Sequence, residues 1–158
     1  MNKRMSLMLV VALVVAAAAF LVAEEKPWLD MANCEFCKPW METGLMKEMS
    51  HEQLPIANGV LCISSVPEKR LAEYKKTSAL MNEIGQKAAK GEPVKMCGSC
   101  AAMGSFFTRG AKMEEVWTKT GSVMLLTSSD PALVTEMHNW AKKNDEEFAK
   151  MMKPADTK

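Results

Sequence analysis

The chain has 158 residues, of which 48% are hydrophobic, and its formal net charge at neutral pH is +1. This length suits one domain, and a near-neutral charge without clustered cations gives no electrostatic basis for binding nucleic acid. The sequence also lacks the motifs typical of nucleotide-binding proteins, zinc proteases and serine hydrolases. We therefore expect a protein that binds no nucleic acid and has no catalytic residues of these classes.

Residues 1–23 have the layout of a secretory signal peptide. A basic start at Lys3 and Arg4 is followed by an uncharged apolar run over residues 7–23, with small residues at Ala17 and Ala19 that suit cleavage. The run is also near the lower length limit for crossing a bilayer, so an uncleaved amino-terminal anchor is the alternative. Both predict export to the periplasm or beyond the cell, free or anchored to the inner membrane through residues 7–23 only.

Two C-x-x-C pairs dominate the rest of the chain. Cys34 and Cys37 form the first pair, Cys97 and Cys100 the second, and the offset is 63 residues at both cysteines. Several residues after each pair also match at this offset, as in Glu52 with Glu115, Val60 with Val123, Ser65 with Ser128 and Glu73 with Glu136. A self-similar period of this kind predicts one unit used twice.

The first unit is predicted to follow a linker or ordered lead-in over residues 24–33. Apolar residues from Phe36 to Met49 recur at three- and four-residue steps, which predicts a helix of about 14–16 residues starting at Cys34. Asn58-Gly59 between apolar runs predicts a hairpin whose first arm is short or lies at the edge of the sheet, because it contains Pro55. A capping box at residues 65–68 then predicts a long helix that stops at residues 91–93.

The second unit repeats this order. The pattern predicts a helix over residues 97–111, strands over residues 115–120 and 122–127, and a closing helix that begins at Asp130-Pro131. We therefore predict an α+β fold, with one domain over residues 34–158 made of repeats at 34–93 and 97–153. The two helix–hairpin–helix units would join in a pseudo-twofold four-stranded antiparallel sheet with helices packed on it.

The segment Thr127-Ser128-Ser129-Asp130-Pro131, followed by Val134 and Met137-His138, resembles a recurring part of small uncharacterised bacterial proteins. In those proteins a strand that ends in Thr-Ser-x-Asp-Pro leads into an amphipathic helix. The resemblance implies the same strand-then-helix arrangement here and implies no activity.

The four cysteines of the two pairs are the candidate metal ligands. Two cysteines three residues apart on one turn can both point at one cation, and two such turns complete a tetrahedral Cys₄ shell for Zn²⁺. A twofold relation between the units would bring the pairs together. The sequence thus predicts a shared site of Cys34, Cys37, Cys97 and Cys100, with zinc favoured, Cu(I) the alternative metal and an iron–sulfur cluster a minor one.

Two alternatives without a metal remain open. The segment from Cys34 to Pro39 resembles the active-site segment of thioredoxin-like proteins, which implies thiol–disulfide exchange. In this alternative Cys34, Cys37, Cys97 and Cys100 are the redox residues, and Cys34 and Cys97 are the attacking thiols because they lie at the predicted helix starts. However, no buried strand precedes Cys34 and no βαβ alternation follows, so that fold is not expected. The other alternative is an interaction module that disulfides within or between the pairs hold together. A second copy of the chain or another protein is a candidate partner, because a duplicated unit and a homodimer use the same symmetry.

The remaining cysteine, histidine, methionine and tryptophan side chains are predicted to have mainly structural roles. Cys62, replaced by Leu125 at the repeat offset, is predicted to be a buried core residue, and His51 and His138 to be surface or interface residues. The 15 methionines are predicted to be mainly core residues, with Cu(I) ligation as the alternative. Trp40, Trp117 and Trp140 are predicted to lie in the core or between the repeats.

Overall fold

The computed structural model describes residues 26–151, so the predicted signal or anchor segment lies outside the described residues. Residues 26–151 form four α-helices and four β-strands, and no helix among them is both long and apolar enough to cross a membrane. In chain order they are α1 Lys38–Glu42, β1 Ser50–Ile56, β2 Gly59–Ser65, α2 Leu71–Ala89, α3 Gly98–Thr108, β3 Lys112–Trp117, β4 Gly121–Thr127 and α4 Pro131–Met151.

The four strands form one antiparallel sheet in the order β1-β2-β4-β3. The predicted α+β class, with helices packed on a four-stranded antiparallel sheet, is confirmed. The two central strands pair from Gly59 opposite Thr127 to Ser65 opposite Gly121. The strand order is thus symmetric about the β2–β4 pair, while the duplication and the pseudo-twofold relation stay predictions.

Glycines at both ends of the central pair permit its close approach. A Cβ atom on Gly59 would lie 1.9 Å from the carbonyl oxygen of Leu126, and one on Gly121 would lie 2.0 Å from that of Ser64. No side chain fits at such distances, so only glycine allows β2 and β4 to pair over their full length. These two residues therefore fix the register that joins the two hairpins.

The main core lies between one face of the sheet and helices α3 and α4. Val60 pairs with Leu126 and Cys62 with Met124, which places these four side chains on the same face. Leu133, Met137, Trp140 and Ala141 of α4 cover that face, together with Phe106 of α3. A smaller cluster of Leu45, Val66 and Tyr74 continues the core on the side of α2.

The closing helix α4 begins where the sequence predicts. Asp130 accepts a hydrogen bond from the backbone N–H of Ala132 at 2.9 Å, and Pro131 occupies the first helical position. The helix buries Leu133, Val134, Met137, Trp140 and Ala141, together with the polar Asn144. The helix therefore presents one apolar face with a single buried amide in it.

The predicted long helix starting at Cys34 is wrong. Residues 35–37 form a turn, α1 covers only five residues, and a short 3₁₀ turn follows at Leu45–Lys47. Gly44, with φ of 69°, stops α1 because this left-handed conformation ends a helix. The chain must then extend to enter β1 at Ser50, which leaves no room for further helical turns.

Other boundaries differ more modestly. Helix α3 ends at Thr108, before Ala111, and it buries Phe106 while Phe107 is exposed. The strand predicted over residues 115–120 is β3 at residues 112–117, because the turn takes residues 118–120. β1 extends from Ser50 and keeps Pro55, which an edge strand tolerates because its N–H side can face solvent. The capping box before α2 is absent, since Pro67 precedes the 3₁₀ turn without a side-chain cap bond.

Candidate metal centre

The four predicted cysteines come together at one point. The Sγ atoms of Cys34, Cys37, Cys97 and Cys100 all lie within 4.8 Å of one another. The Sγ atom of Cys37 is 3.8 Å from that of Cys97 and 3.8 Å from that of Cys100. All four cysteines are free thiols. Residues separated by about sixty positions in the chain thus form one cluster of sulfur atoms.

The first pair lies on a turn that its own backbone closes. The carbonyl oxygen of Cys34 accepts hydrogen bonds from the N–H groups of Cys37 at 3.1 Å and Lys38 at 2.9 Å. Upstream, Asp30 accepts hydrogen bonds from the N–H groups of Ala32 and Asn33, which shapes the preceding turn and lowers the pKa of the Asp30 carboxyl group. Cys37 is the N-cap of α1, which has only five residues. This pair, with its turn, is called knuckle one below.

The second pair opens a longer helix. Cys97 is the N-cap of α3, with an extended backbone at φ −70° and ψ 173°, and Cys100 lies in the first turn. The carbonyl oxygen of Cys97 accepts a hydrogen bond from the N–H of Ala101 at 3.0 Å. The amino end of an 11-residue helix favours negative charge, so this position suits a thiolate. This pair, with the start of α3, is called knuckle two below.

A buried network of hydrogen bonds holds knuckle two against the domain core. The Asn144 side-chain oxygen accepts hydrogen bonds from Ser99 Oγ at 2.7 Å and from Trp28 Nε1 at 2.9 Å, and its Nδ2 donates to Gln53 at 3.1 Å. Trp140 Nε1 also donates to Ser99, to both its carbonyl oxygen and its Oγ. Since Ser99 stands between the two cysteines, the network fixes the loop of knuckle two onto α4 and β1.

Two segments connect the knuckles to each other. The carbonyl oxygens of Pro27 and Trp28 accept hydrogen bonds from the N–H groups of Gly98 at 3.0 Å and Ser99 at 2.9 Å. Residues 26–33, predicted as a linker or an ordered lead-in, therefore lie against knuckle two. On the other side, Glu35 of knuckle one donates its N–H to Lys95, and its carboxylate accepts the Lys95 N–H at 2.9 Å.

The first cysteine of each knuckle is more deeply buried than the second. Cys34 and Cys97 are 1% and 2% exposed, whereas Cys37 and Cys100 are half-buried. By residue exposure, the second cysteine of each pair is therefore the more accessible one. Cys34 and Cys97, the predicted attacking thiols, are both covered, and Cys34 precedes a turn rather than a helix; their role in thiol–disulfide exchange stays a prediction.

The thiols influence each other's ionisation. Hydrogen bonds from Cys100 and Cys37 lower the pKa of Cys97 far below its ordinary value, and the backbone N–H groups of Cys100 and Asp30 add to this. Hydrogen bonds with Cys37 and Cys97, and then burial, raise the pKa of Cys100. The hydrogen bond with Cys100 lowers the pKa of Cys37. The hydrogen bond with Cys97 and burial raise this pKa by more, so the net shift is upward.

One negative charge is thus easily held among these sulfurs, and further ionisation is opposed because like charges at this separation repel each other. A cation at the centre would reverse that balance, since it attracts every thiolate at once. The cluster therefore has the electrostatics of a site in which metal and protons compete for the same sulfur atoms.

The sulfur spacing fits a tetrahedral metal ion. Four sulfurs at about 2.3 Å from one zinc ion lie about 3.8 Å apart in a regular tetrahedron. The two Sγ–Sγ distances of 3.8 Å from Cys37 match this edge, and the remaining distances stay within 4.8 Å. Four thiolates in this arrangement are the ligand set of zinc or of iron in sulfur coordination.

The other cysteine and the two histidines lie away from the cluster. Cys62 is 3% exposed in the core, as predicted, and burial followed by the charge of Asp145 raises its pKa to about 12. His138 Nε2 lies 2.9 Å from the carbonyl oxygen of Gly59 and 3.1 Å from that of Ile56, so it holds the first hairpin. His51 is exposed on β1.

Sequence reasoning missed the supporting residues of the centre. The sequence did not predict that Trp28, Gln53, Ser99 and Asn144 act together. A polar amide among buried apolar residues is itself a signal, because such a group needs hydrogen-bond partners inside the protein. Of the three predicted tryptophans, Trp140 is buried, Trp40 is half-buried and Trp117 is 41% exposed.

Comparisons of the chain with models of protein families, with curated proteins and with solved structures found no match. The resemblance of residues 127–138 to a segment of small bacterial proteins therefore stays a prediction. What the centre does has to be inferred from its own atoms and from their surroundings.

Proposed function

We propose that this is an exported, non-catalytic protein in which Cys34, Cys37, Cys97 and Cys100 hold one zinc ion that joins the two halves of the domain. The observation that carries the proposal is the meeting of four free thiols from two distant segments at tetrahedral spacing. Export is supported by the basic start and apolar run of residues 1–23.

A structural role follows from the ligand count. Catalytic zinc sites keep one position open for water or substrate, whereas structural sites are closed by four protein ligands. All four positions here are supplied by cysteine, and Cys34 and Cys97 are almost fully covered. A metal held in this way contributes folding free energy rather than chemistry, because its binding ties together two segments that lie about sixty residues apart in the chain.

Zinc is favoured over Cu(I) by geometry. Zinc takes four thiolates in a tetrahedron without a preference from its d electrons, and tetrahedral S₄ sites are typical of zinc or iron. Cu(I) would also bind such soft ligands, so it is the runner-up for this site. The candidate partners are therefore a metal ion first, and a second copy or another protein second.

Metal analysis combined with thiol counting tests the proposal. The protein is purified from the exported fraction without added metal, and zinc, copper and iron are measured per chain, with free thiols counted before and after chelation. We expect one zinc ion per chain and four thiols that react only after chelation, while buried Cys62 reacts only on unfolding. Metal-free protein with oxidised pairs would instead support the thiol–disulfide or disulfide-stabilised alternatives, which an insulin reduction assay separates.

A further inference from the structure

A second group of soft side chains lines a cavity that the cysteine cluster does not use. The cavity has a volume of about 250 Å³ and lies between the segment that leads into β1 and the carboxyl-terminal part of α4. Its lining residues are Met46, Met49, His51, Asp145 and Phe148. None of them contributes to the Cys₄ site or to the Asn144 network, so their common location has no explanation in the function proposed above.

The two methionines differ from those of the core. Met137 of α4 is fully buried and fills space between the helix and the sheet. Met46 and Met49 are only half-buried and line the cavity, and Met49 also packs against the small cluster that contains Leu45. Met46 belongs to the 3₁₀ turn, and Met49 follows three residues later, immediately before β1. The turn thus brings two thioether groups to one cavity wall.

His51 also lines the cavity, and one of its ring nitrogens already takes part in a hydrogen bond. Its Nδ1 lies 2.8 Å from the hydroxyl oxygen of Ser64, which is its cross-strand partner on β2. Among residues 26–151 no hydrogen bond to Nε2 accompanies it, so this nitrogen can bind a ligand. A histidine that binds a metal commonly fixes its ring through a hydrogen bond from the other nitrogen, and Ser64 provides that bond here.

The aromatic and acidic residues suit a monovalent soft cation. The ring centroid of Phe148 lies 6.5 Å from that of His51, which places an aromatic group beside the cavity. Asp145 adds one carboxylate at its edge, which offsets the charge of a single cation. Hard cations such as Mg²⁺ and Ca²⁺ require several oxygen ligands, and zinc is normally bound by thiolate, imidazole or carboxylate rather than thioether. Two thioethers and one imidazole are instead a set of ligands that suits Cu(I).

We propose that Met46, Met49 and His51 form a second metal site, specific for Cu(I), in the cavity between β1 and α4. The site uses no cysteine, so it stands independently of the zinc proposal. It also gives a role beyond packing to two of the 15 methionines.

Methyl NMR of zinc-loaded protein under anaerobic conditions tests this site directly. The chain is labelled with ¹³C at the methionine methyl groups, and Cu(I) is added as its acetonitrile complex to two equivalents. Zinc released into solution is measured in the same titration, so copper that enters the cysteine site is counted separately. We expect the Met46 and Met49 methyl resonances and the His51 ring resonances to shift together and to saturate at one additional copper per chain.

Substitutions complete the test. Met46→Leu with Met49→Leu should lose that one equivalent of copper while zinc content stays unchanged, because leucine keeps the apolar volume but has no sulfur. Met41→Leu is the matched control, since Met41 is 50% exposed in the neighbouring α1 and lines no part of the cavity. Unshifted Met46 and Met49 resonances at two equivalents, or unchanged copper binding in the double variant, would overturn the proposal.

Discussion

The two knuckles present the same ligands on different supports. In both, the first cysteine is buried and the second is half-buried. Knuckle one, however, sits on a turn before a five-residue helix, whereas knuckle two opens an 11-residue helix that Ser99 and Asn144 fasten to α4. Two C-x-x-C pairs with the same spacing therefore lie on different secondary structure in this protein. Knuckle two is built by the fold, and we expect knuckle one to depend on the metal for its order.

The largest expected effect comes from removing either pair of ligands. Cys34→Ser with Cys37→Ser, and Cys97→Ser with Cys100→Ser, should each abolish metal binding, because two ligands cannot retain the ion in a site built for four. The free energy of unfolding should fall by about 4 kcal/mol or more relative to protein with zinc at about a thousand times its Kd. Denaturant unfolding with and without zinc measures this.

The quadruple cysteine variant provides the control for a shared site. It should be no less stable than either double variant, since the first pair removed already eliminates the common ion. Losses that simply add from one pair to the other would contradict a single ion between the knuckles.

Asn144→Ala should weaken knuckle two next most strongly. The substitution leaves Ser99, Trp28 and Gln53 with unpaired buried groups, so we expect the free energy of unfolding to fall by about 2–3 kcal/mol. Asn139→Ala on the same helix is the matched control, because Asn139 is exposed and its loss should cost less than about 0.5 kcal/mol. Equal stability of the two variants would remove the network from the account.

Hydrogen exchange after chelation separates the knuckles directly. The N–H groups of Cys37 and Lys38, which bond to Cys34, should exchange about tenfold faster or more in the metal-free protein. The N–H of Ala101, which bonds to Cys97 within α3, should keep most of its protection because the helix and the Asn144 network remain. Equal loss of protection at both knuckles would contradict the proposed difference between them.

Cys62→Val should have the smallest effect and should leave both knuckles intact. At neutral pH we expect a change of about 1 kcal/mol or less, since the side chains have similar volume, and unchanged metal content. Loss of metal in this variant would show that Cys62 belongs to the site.

The same variant should differ from the parent protein at alkaline pH. Burial raises the pKa of Cys62 to about 12, so between pH 9 and 12 the unfolded thiol ionises while the folded one keeps its proton. Cys62 thus stabilises the fold below pH 9, and that contribution falls as pH rises, by up to about 1.4 kcal/mol per pH unit. Denaturant unfolding across this range should show a shallower decline in Cys62→Val.

The ligands and the sheet could be predicted because their signals are local. C-x-x-C places both sulfurs on one turn, Asn-Gly marks the first hairpin, and Asp130-Pro131 marks the start of α4. The meeting of the two pairs followed from assuming related halves, which the offset of 63 residues suggested. The duplication itself stays a prediction, although the ligand set that it predicted does lie together.

The first helix and the polar network could not be read from local patterns. Apolar residues from Phe36 to Met49 keep a helical spacing even though Gly44 breaks the helix, because they pack from a turn and a loop instead. Asn144 bonds to residues 45, 91 and 116 positions away, so only the folded chain brings its partners together. Tertiary contacts decide both features.

X-ray absorption at the zinc edge of zinc-loaded protein tests the central claim most directly. One ion shared by the two knuckles predicts four sulfur neighbours at about 2.3 Å and no nitrogen or oxygen neighbour. A first shell with two sulfurs completed by lighter atoms would mean that each pair binds alone, and the account of a metal that joins the halves would be wrong.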